Sequence, residues 1–339
     1  MSWVVSLVGG GLFLWLASTR LRLWPDELSL PRPELVGLAL AVHAPYAAAR
    51  AMRLSYLLDP VVADASGDPS RRISRAVVYG SGFVSFLVLL VLPLKLGELS
   101  RPLLLVRGNQ PGVRLTESLS AVATERIIDG ILICGMLFSG LALAGSFAPG
   151  VEDAVGSVRA IGRWMLLLFA GAFVGLLVVA RWPQQTAGML ERFGGSLGPR
   201  AAAFVVRLTA PVGALFDLRR SVPLVLTSVL YWAITTAQLW LVLAGCGVSL
   251  GAPEAAAIVA IIGLSIQLPG GPAQSGTFQV GAAAALALFL TETEVQGPGS
   301  SFAAVMYVLQ FVGAGLMALP GVWLVARADR ARDDADGEA

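Results

Sequence analysis

The stretch "LPLKLGELSRPLLL", from Leu92 to Leu105, places charged residues inside a hydrophobic region of the chain. Lys95, Glu98 and Arg101 follow a long and almost wholly apolar run. A charged side chain at the centre of a membrane helix costs roughly 2.5–3.5 kcal/mol on insertion scales. A proline and a glycine in the same stretch interrupt helical structure. We therefore predict a broken helix here, with compensating partners for the three charges.

The composition indicates a protein embedded in a membrane. The chain has 339 residues, of which 56% are hydrophobic and 14% are charged, and its mean hydropathy is +0.76. Soluble domains contain about 25% charged residues. A net charge of +2 from scattered arginines argues against nucleic-acid binding. Cys134 and Cys246 lie in apolar runs without metal-ligand spacing, so we expect no metal and no cofactor.

Apolar runs of about 17–25 residues are long enough to cross a bilayer. The candidate spans are 2–19, 35–51, 118–146, 160–181, 222–245 and 302–326. Two further apolar regions, 76–106 and 254–291, are interrupted by proline and glycine. We therefore predict an all-α, polytopic membrane protein with about six full spans and two broken re-entrant helical hairpins in a two-half arrangement.

Charge predicts the orientation and the domain boundaries. With both termini in the cytoplasm, most loop arginines lie inside, as the positive-inside rule expects. Residues 1–326 form one membrane domain in this interpretation, within which 184–220 is an interfacial cytoplasmic segment because it is too polar to span. The acidic tail, 327–339, is predicted to be disordered. The expected location is a bacterial cytoplasmic (inner) membrane.

The two interruptions occupy corresponding positions in the two halves of the chain. Paired breaks of this kind are the best sequence indicator of a transporter's binding site, although ordinary loops between short helices are the alternative. Backbone that is not helical is tolerated at membrane depth only where protein or water satisfies it. The predicted breaks contain Pro93, Gly97, Pro269, Gly270, Gly271 and Pro272.

A second group of charges lies in the predicted span "TESLSAVATERIIDGILICGMLF". Glu125 and Asp129 are four residues apart and share a helix face, and Arg126 and Asp129 are three apart and can pair. With the charges of the opening stretch they form a neutral set of three cations and three anions. We interpret the set as a paired cluster around a wet cavity, where Arg101 and Arg126 suit a phosphate. A purely structural ion-pair network is the alternative.

Neutral polar residues cluster at the second break. They line a headgroup path, or they satisfy the broken backbone, and the sequence does not separate the two interpretations. The residues are Gln274, Ser275, Thr277 and Gln279. His43 is the one histidine of the chain. It is either a proton relay or a packed side chain bonded to a neighbour.

Both charged motifs resemble the signature of the flippase-like integral membrane family, which includes the transmembrane region of lysylphosphatidylglycerol synthases and related uncharacterised membrane proteins. The similar residues are Pro93, Lys95, Gly97, Glu98 and Arg101, then Glu125, Arg126 and Asp129. The family's late Pro-Gly-rich signature resembles "PGGPAQSGTFQVG", which ends at Gly281. Gln279 stands where that signature often has a glutamate, so no acid is available at that position.

The resemblance implies a membrane lipid translocase without enzymatic activity. Its expected partners are membrane lipids with a phosphate-bearing headgroup, together with a separate synthase or glycosyltransferase. The chain has no recognisable catalytic or nucleotide-binding motif and ends soon after its last predicted span. Two alternatives remain: a membrane enzyme acting on a polyprenyl-phosphate or phospholipid, with Glu98, Glu125 or Asp129 as base, and a non-catalytic partner of a glycosyltransferase or lipid synthase.

Overall fold

The computed structural model describes residues 2–25, 27–92, 97–193, 198–268 and 270–337. Every regular element in these ranges is helical, and no strand occurs in them. The all-α prediction is confirmed. Three residues of the predicted breaks and charged cluster lie outside the described residues, namely Pro93, Lys95 and Pro269.

The main helices follow one another along the chain with short connections. They are α1 Ser2–Ser18, α2 Pro33–Ser66, α3 Arg75–Val91, α4 Ser100–Arg107, α5 Leu115–Leu143, α6 Glu152–Arg181, α7 Pro183–Phe193, α8 Gly198–Thr209, α9 Leu218–Gly245, α10 Ala252–Ser265, α11 Thr277–Leu286, α12 Glu292–Glu294 and α13 Ser300–Gly337. A π-helical turn, Val295–Gly299, joins α12 to α13, and short 3₁₀ turns occur at Pro211–Phe216 and Pro272–Gln274.

Within the described residues, five helices are long and apolar enough to cross a membrane: α2, α5, α6, α9 and the last helix counted from α12. The remaining predicted span, 2–19, corresponds to α1. This helix has 17 residues and so is at the lower limit for a crossing. Helices α3 and α4 form the first predicted hairpin, and α10 and α11 form the second. The structure therefore has the predicted polytopic helical architecture with two broken hairpins.

Helix α2 is much longer than the span predicted at 35–51. It continues to Ser66 because the apolar residues after Arg53 recur at helical spacing and so form one buried face. Leu54, Leu57, Leu58, Val61 and Val62 are all buried on that face. Arg50 and Arg53 consequently lie within a helix that is long and apolar enough to cross a membrane, and not in a loop after it.

The tail differs from its predicted disorder. Helix α13 extends to Gly337 and so covers most of the segment 327–339. Alanine and arginine, which recur in this segment, are good helix formers. Composition alone therefore underestimated how far the last helix continues.

The first hairpin begins and ends at the same end of the molecule. The backbone N–H of Ser74, just before α3, donates to Gln110 Oε1, just after α4, at 3.0 Å. At this end Arg107 also donates to Asp329 Oδ2 at 2.8 Å, so the end of α13 lies beside the end of α4. This hairpin therefore enters and leaves on one side.

The second hairpin begins and ends at the opposite end. The N–H of Gly145, just after α5, donates to Glu254 Oε1 at the start of α10, at 2.7 Å. The N–H of Ala148 donates to the carbonyl of Leu288, just after α11, at 2.9 Å. Because α5 runs from the first end to this one, the two hairpins open at opposite ends.

Helix packing follows the same two-half pattern. The helices that precede each hairpin, α2 and α9, pack against each other. Helix α3 of the first hairpin packs along α13, and α10 of the second hairpin packs along α5. Each hairpin thus contacts the long helix that follows the other hairpin. This crossed packing places the breaks of both hairpins beside the same interior space of the molecule.

Residues of the predicted interfacial segment 184–220 form short helices, α7 and α8, that pack against each other. The hydroxyl of Ser120 on α5 donates to the carbonyl of Leu208 on α8. The segment therefore caps the end of the molecule from which the first hairpin enters.

Candidate functional site

Arg53 and Asp129 form a buried ion pair between α2 and α5. Two guanidinium nitrogens of Arg53 donate to the two carboxylate oxygens of Asp129, at 2.5 Å and 3.0 Å. Trp232 Nε1 donates to the same carboxylate at 3.0 Å, and Ser228 Oγ accepts from Arg53 at 3.3 Å. The Arg53 side chain is 2% exposed. These additional bonds are what a buried ion pair needs to offset the loss of water.

Arg101 and Glu125 form a second buried pair, between α4 and α5. Arg101 Nη1 donates to Glu125 Oε2 at 2.6 Å, and Arg101 Nη2 donates to the carbonyl of Ala51 at 3.1 Å. The other oxygen, Glu125 Oε1, lies 3.8 Å from Arg53 Nε, and neither atom has a hydrogen-bond partner among the described residues. Glu125 thus lies between two guanidinium groups and links the two pairs.

Arg126 and Glu98 form a looser pair at the edge of this cluster. The distance between Arg126 Nη2 and Glu98 Oε1 is 3.7 Å, and both side chains are about one third exposed. Sequence spacing predicted that Arg126 pairs with Asp129, whereas the structure pairs Asp129 with Arg53. The correction follows from the extension of α2, which brings a second guanidinium to the buried face of α5.

Arg50 has no carboxylate partner among the described residues. It is half-buried, and its guanidinium carbon lies 4.7 Å from the centre of the Phe86 ring. With it, four guanidinium groups face three carboxylates in the described part of the cluster: Arg50, Arg53, Arg101, Arg126, Glu98, Glu125 and Asp129. The cluster was predicted to be neutral, but these residues carry an excess of positive charge.

Arg50 and Arg53 are the members of the charged cluster that sequence reasoning missed. The predicted span 35–51 ends beside them, so neither was included in the predicted charged cluster. The signal that could have found them is the apolar spacing after them, which keeps one helix face buried through Val62. A helix that continues past two arginines places their side chains at membrane depth, where they need partners.

A cavity of about 260 Å³ connects the charged cluster with the second break. Its charged end is lined by Arg50, Glu98, Arg126 and Asp129, and Gln267, Gln274 and Gln310 line it further on. Apolar walls come from Phe86, Leu89, Ile133, Phe169, Ile262 and Phe278. Arg101 and Glu125 line a smaller, adjoining pocket of about 20 Å³, roughly the space of one water. Both hairpins therefore contribute residues to one cavity.

The predicted polar residues of the second break have different positions. Gln274 lines the cavity, whereas Ser275, Thr277 and Gln279 do not. Thr277 Oγ1 donates to the carbonyl of Gln274 at 3.0 Å, and Gln279 Oε1 accepts from the N–H of Gly276 at 2.7 Å. The carbonyl of Ser275 accepts from the N–H of Gly271 at 3.0 Å. These three residues complete the backbone bonding of the break.

The backbone of the second break is strained at two adjacent residues. Ala273 and Gln274 have φ angles of 62° and 57°, in the left-handed region that residues with a side chain rarely occupy. The carbonyl of Ala273 accepts a hydrogen bond from Tyr307 on α13 at 3.2 Å. Strain of this kind persists only where the surroundings hold it, and it is often found at ligand sites.

Close packing with α1 and α3 supports the two breaks. A Cβ atom on Gly10 would lie 2.6 Å from the Cα of Gly271, and Ser6 Oγ donates to the carbonyl of Gly270 at 3.0 Å. In the first hairpin, a Cβ on Gly97 would lie 2.3 Å from the Cα of Leu89. The predicted break glycines therefore allow close backbone contacts in addition to relaxing the helix.

His43 lies in the wall of the cavity and is 2% exposed. Gln238 Nε2 donates to the carbonyl of Ala39 at 2.8 Å and lies 3.3 Å from His43 Nδ1. His43 Nε2 has no hydrogen-bond partner among the described residues. The ring also packs against Tyr46 and Phe86. The packed alternative fits this geometry, with one ring nitrogen left available.

The described part of the chain contains no group of three or more histidine, cysteine, aspartate or glutamate residues that could hold a metal. The carboxylates of Asp129 and Glu125 are each paired with a guanidinium group, at 2.5 Å and 2.6 Å, so the pairing stabilises both in the charged form. The cluster's accessible groups at the cavity are the guanidinium groups of Arg50 and Arg126, the loosely paired carboxylate of Glu98 and several neutral amides.

A family model described as the lysylphosphatidylglycerol synthase TM region matches residues 3–321. The chain belongs to this family, as the sequence motifs predicted. Comparison with curated proteins gave no match, and neither did comparison with solved structures. The family indicates a membrane protein related to lipid handling.

Proposed function

We propose that this member of the family moves a phosphate-bearing lipid between the leaflets of a membrane, by passing the headgroup through the cavity between the two hairpins. Arg50 carries the proposal, because its guanidinium, on a helix long and apolar enough to cross a membrane, faces the cavity without a carboxylate partner among the described residues. Guanidinium groups match the geometry of phosphate and bind it through two hydrogen bonds. An anionic headgroup would balance the excess charge of the cluster.

The arrangement of the hairpins supports translocation. They open at opposite ends of the molecule, and each supplies residues to the same cavity. Transporters built from two such halves bind substrate near the bilayer midplane, where the broken helices meet. Rocking of one half against the other would then expose the site to each leaflet in turn, while the acyl chains stay in lipid.

The enzyme alternative has less support from the geometry. A general base must be free to accept a proton from the substrate. Glu125 and Asp129 each accept short hydrogen bonds from an arginine, so Glu98 alone among the three proposed bases is loosely held. We therefore propose that the protein is not an enzyme and acts on lipids made by a separate synthase or glycosyltransferase.

The proposed location is the cytoplasmic (inner) membrane of a bacterium, with both termini in the cytoplasm. The support is the six arginines between 181 and 220, the segment that contains α7 and α8, since cationic loops favour the cytoplasmic side. The first hairpin would then open to the cytoplasm and the second to the outside.

A leaflet-resolved translocation assay in proteoliposomes tests the proposed function. Acyl-labelled phosphatidylglycerol should cross faster with the protein than without it, and Arg50→Gln should slow it about tenfold, since a hydrogen bond to a charged group contributes about 1.5–3 kcal/mol. Arg159→Gln, an exposed arginine on α6, is the matched control and should leave the rate unchanged. Translocation that is no faster than in protein-free liposomes, or an Arg50→Gln rate equal to that of the control, would overturn the proposal.

A further inference from the structure

The part of the cavity away from the charged cluster is lined by neutral hydrogen-bonding groups. Gln274 comes from the second break and Gln310 from α13, and both are half-buried. Neither side chain has a hydrogen-bond partner among the described residues. An amide offers both donors and acceptors, which is what hydroxyl groups require. Polar groups that line a cavity without a protein partner are free to bond a ligand with matching groups.

His43 adds a donor to the same wall. Gln238 Nε2 must be the nitrogen of its amide, because it lies 2.8 Å from the carbonyl oxygen of Ala39. It can therefore only donate to His43 Nδ1, at 3.3 Å. The proton of the neutral ring is then on Nε2, which has no partner among the described residues although the side chain is 98% buried. This unused N–H is independent of the two glutamines.

The cavity is unsuited to an ammonium group. The carboxylates at its wall are Glu98, which faces Arg126, and Asp129, which accepts three hydrogen bonds. Aromatic faces are the other partners of an ammonium, and at the charged end of the cavity the Phe86 and Tyr231 rings already have arginine guanidinium groups over them, at 4.7 Å and 4.5 Å. At that end an incoming cation would meet the guanidinium groups of Arg50 and Arg126, and both carboxylates there already face an arginine.

We infer that the cavity takes a lipid whose phosphate carries a neutral, hydroxyl-rich headgroup, such as glycerol, inositol or a sugar, and that it selects against headgroups with an ammonium group. The phosphate lies at Arg50, and the hydroxyl groups bond to Gln274, Gln310 and His43. This inference rests on the proposed function, because it names the substrate class of the same site. The cavity volume of about 260 Å³ suits a single small headgroup.

Binding is measured first, with purified protein in detergent, by thermal-shift titration with short-chain lipids. Phosphatidylglycerol and phosphatidylserine have the same net charge, but the second carries an ammonium and a carboxylate in place of the glycerol hydroxyl groups, so they are the decisive pair. Phosphatidylinositol, phosphatidic acid and phosphatidylethanolamine complete the panel. We expect phosphatidylglycerol and phosphatidylinositol to bind at least about fivefold more tightly than the other three, since two or more neutral hydrogen bonds are gained. Equal affinity for phosphatidylglycerol and phosphatidylserine would overturn the inference.

Free glycerol phosphate distinguishes a lipid from a soluble ligand with the same chemistry. We expect it to bind at least about tenfold more weakly than phosphatidylglycerol, because it lacks the acyl chains that contact the apolar walls. If it binds as tightly as the lipid, the site recognises a soluble phosphate ester and the lipid part of the inference fails.

Variants at one position test the headgroup end directly. Gln310→Leu should weaken binding of phosphatidylglycerol about fivefold and leave phosphatidic acid unchanged, because only the hydroxyl contacts are lost. Gln310→Glu should reverse the order, since a carboxylate at this wall pairs with the ammonium of phosphatidylserine. Gln185→Leu, at an exposed glutamine of α7, is the matched control. Folded Gln310 variants that keep the wild-type order of affinities would contradict the placement of the headgroup.

The same panel in the translocation assay separates the two proposals. If all phospholipids cross at one accelerated rate, the headgroup inference fails and translocation stands. If no lipid crosses faster than in protein-free liposomes while phosphatidylglycerol still binds preferentially, translocation fails and the headgroup inference holds for a binding protein. If phosphatidylglycerol both binds and crosses preferentially, both proposals are supported.

Discussion

The two broken hairpins have the same architecture but opposite chemistry. The break of the first hairpin contains Glu98 and leads directly to Arg101, which is paired with a carboxylate on α5. The break of the second, between Ser265 and Thr277, contains no charged residue. Its backbone is completed by its own hydroxyl and amide groups and by contact with α1.

This difference shows that irregular backbone at membrane depth can be stabilised in two ways. The first hairpin is held to the body of the protein by ion pairs, and the second is held by backbone hydrogen bonds and close glycine contacts. Because one shared cavity lies between them, it has a cationic end and a neutral end. A ligand with one anionic group and one neutral polar group matches that asymmetry.

The opposite openings of the hairpins give the largest expected effect, which is all-or-none labelling. With Cys134 and Cys246 replaced by alanine, cysteines at Ser66 and Gly337 should be accessible from one side of the membrane. A cysteine at Ser146 should be accessible only from the other, since it follows α5. A membrane-impermeant thiol reagent applied to intact and permeabilised cells measures this. Equal labelling of Ser66→Cys and Ser146→Cys in intact cells would contradict the opposite openings of the two hairpins.

Arg53→Ala should give the largest loss of stability. Removing one partner of a buried ion pair leaves Asp129 charged and uncompensated, which costs roughly 3–5 kcal/mol. Thermal unfolding of the purified protein measures the loss. Arg72→Ala is the matched control, because Arg72 is exposed and lies 3.7 Å from Asp59 in a surface pair worth about 0–1 kcal/mol. Similar losses for the two variants would show that the cluster is not a buried network.

Gly97→Ala should destabilise the first hairpin by roughly 1–3 kcal/mol. The added methyl group meets the backbone of α3 at Leu89, and overpacking against backbone has no easy relief. Gly175→Ala on α6 is the control, since no atom lies within 4 Å of its added Cβ and alanine favours a helix by about 0.5–1 kcal/mol. Unfolding temperatures that shift in the same direction for both variants would contradict the close contact between the break and α3.

The charged half of the site was easier to predict than the neutral half. Glu98, Arg101, Glu125 and Asp129 are conspicuous because charges are rare in apolar runs. Their partners were harder to find, since pairing across helices depends on packing and Arg53 lies 76 positions before Asp129. The sequence predicted pairs within one helix, but tertiary contacts between α2 and α5 decide them.

The neutral half depends on backbone conformation, which single residues do not show. Gln274, Ser275 and Thr277 are equally polar, yet only Gln274 lines the cavity, because the left-handed turn at Ala273 and Gln274 sets its direction. Gln310 lies within an apolar helix and gave no sequence signal until α13 was placed beside the second break. The hydrophobic pattern of the sequence predicted the helices. The cavity, in contrast, forms because each hairpin packs against the long helix that follows the other hairpin.

Ala273→Gly should stabilise the protein by roughly 0.5–1 kcal/mol. Glycine relieves the strain of a positive φ, which costs about 1–3 kcal/mol for other residues, although it adds entropy to the unfolded chain. Ala284→Gly, at an exposed position of helix α11, is the control and should destabilise by about 0.5–1 kcal/mol. Thermal unfolding compares the two. A loss of stability in Ala273→Gly would indicate that the second break does not hold the strained turn.

Arg126→Ala should have the smallest effect on stability of these variants, at most about 1 kcal/mol. Spacing alone assigned Arg126 to a buried pair, but its contact with Glu98 is long and both side chains are about one third exposed, so water screens the pair. The same exposure places Arg126 at the cavity wall, where it can meet a phosphate.

Movement of phosphatidylglycerol should therefore slow in Arg126→Ala although the protein stays folded. Arg126→Lys should recover part of the rate, because it restores the charge without the planar fork. Measuring unfolding temperature and translocation on the same preparations separates the two roles. If Arg126→Ala is as unstable as Arg53→Ala, the first hairpin uses all its charges for folding and Arg126 is no longer a candidate for the headgroup.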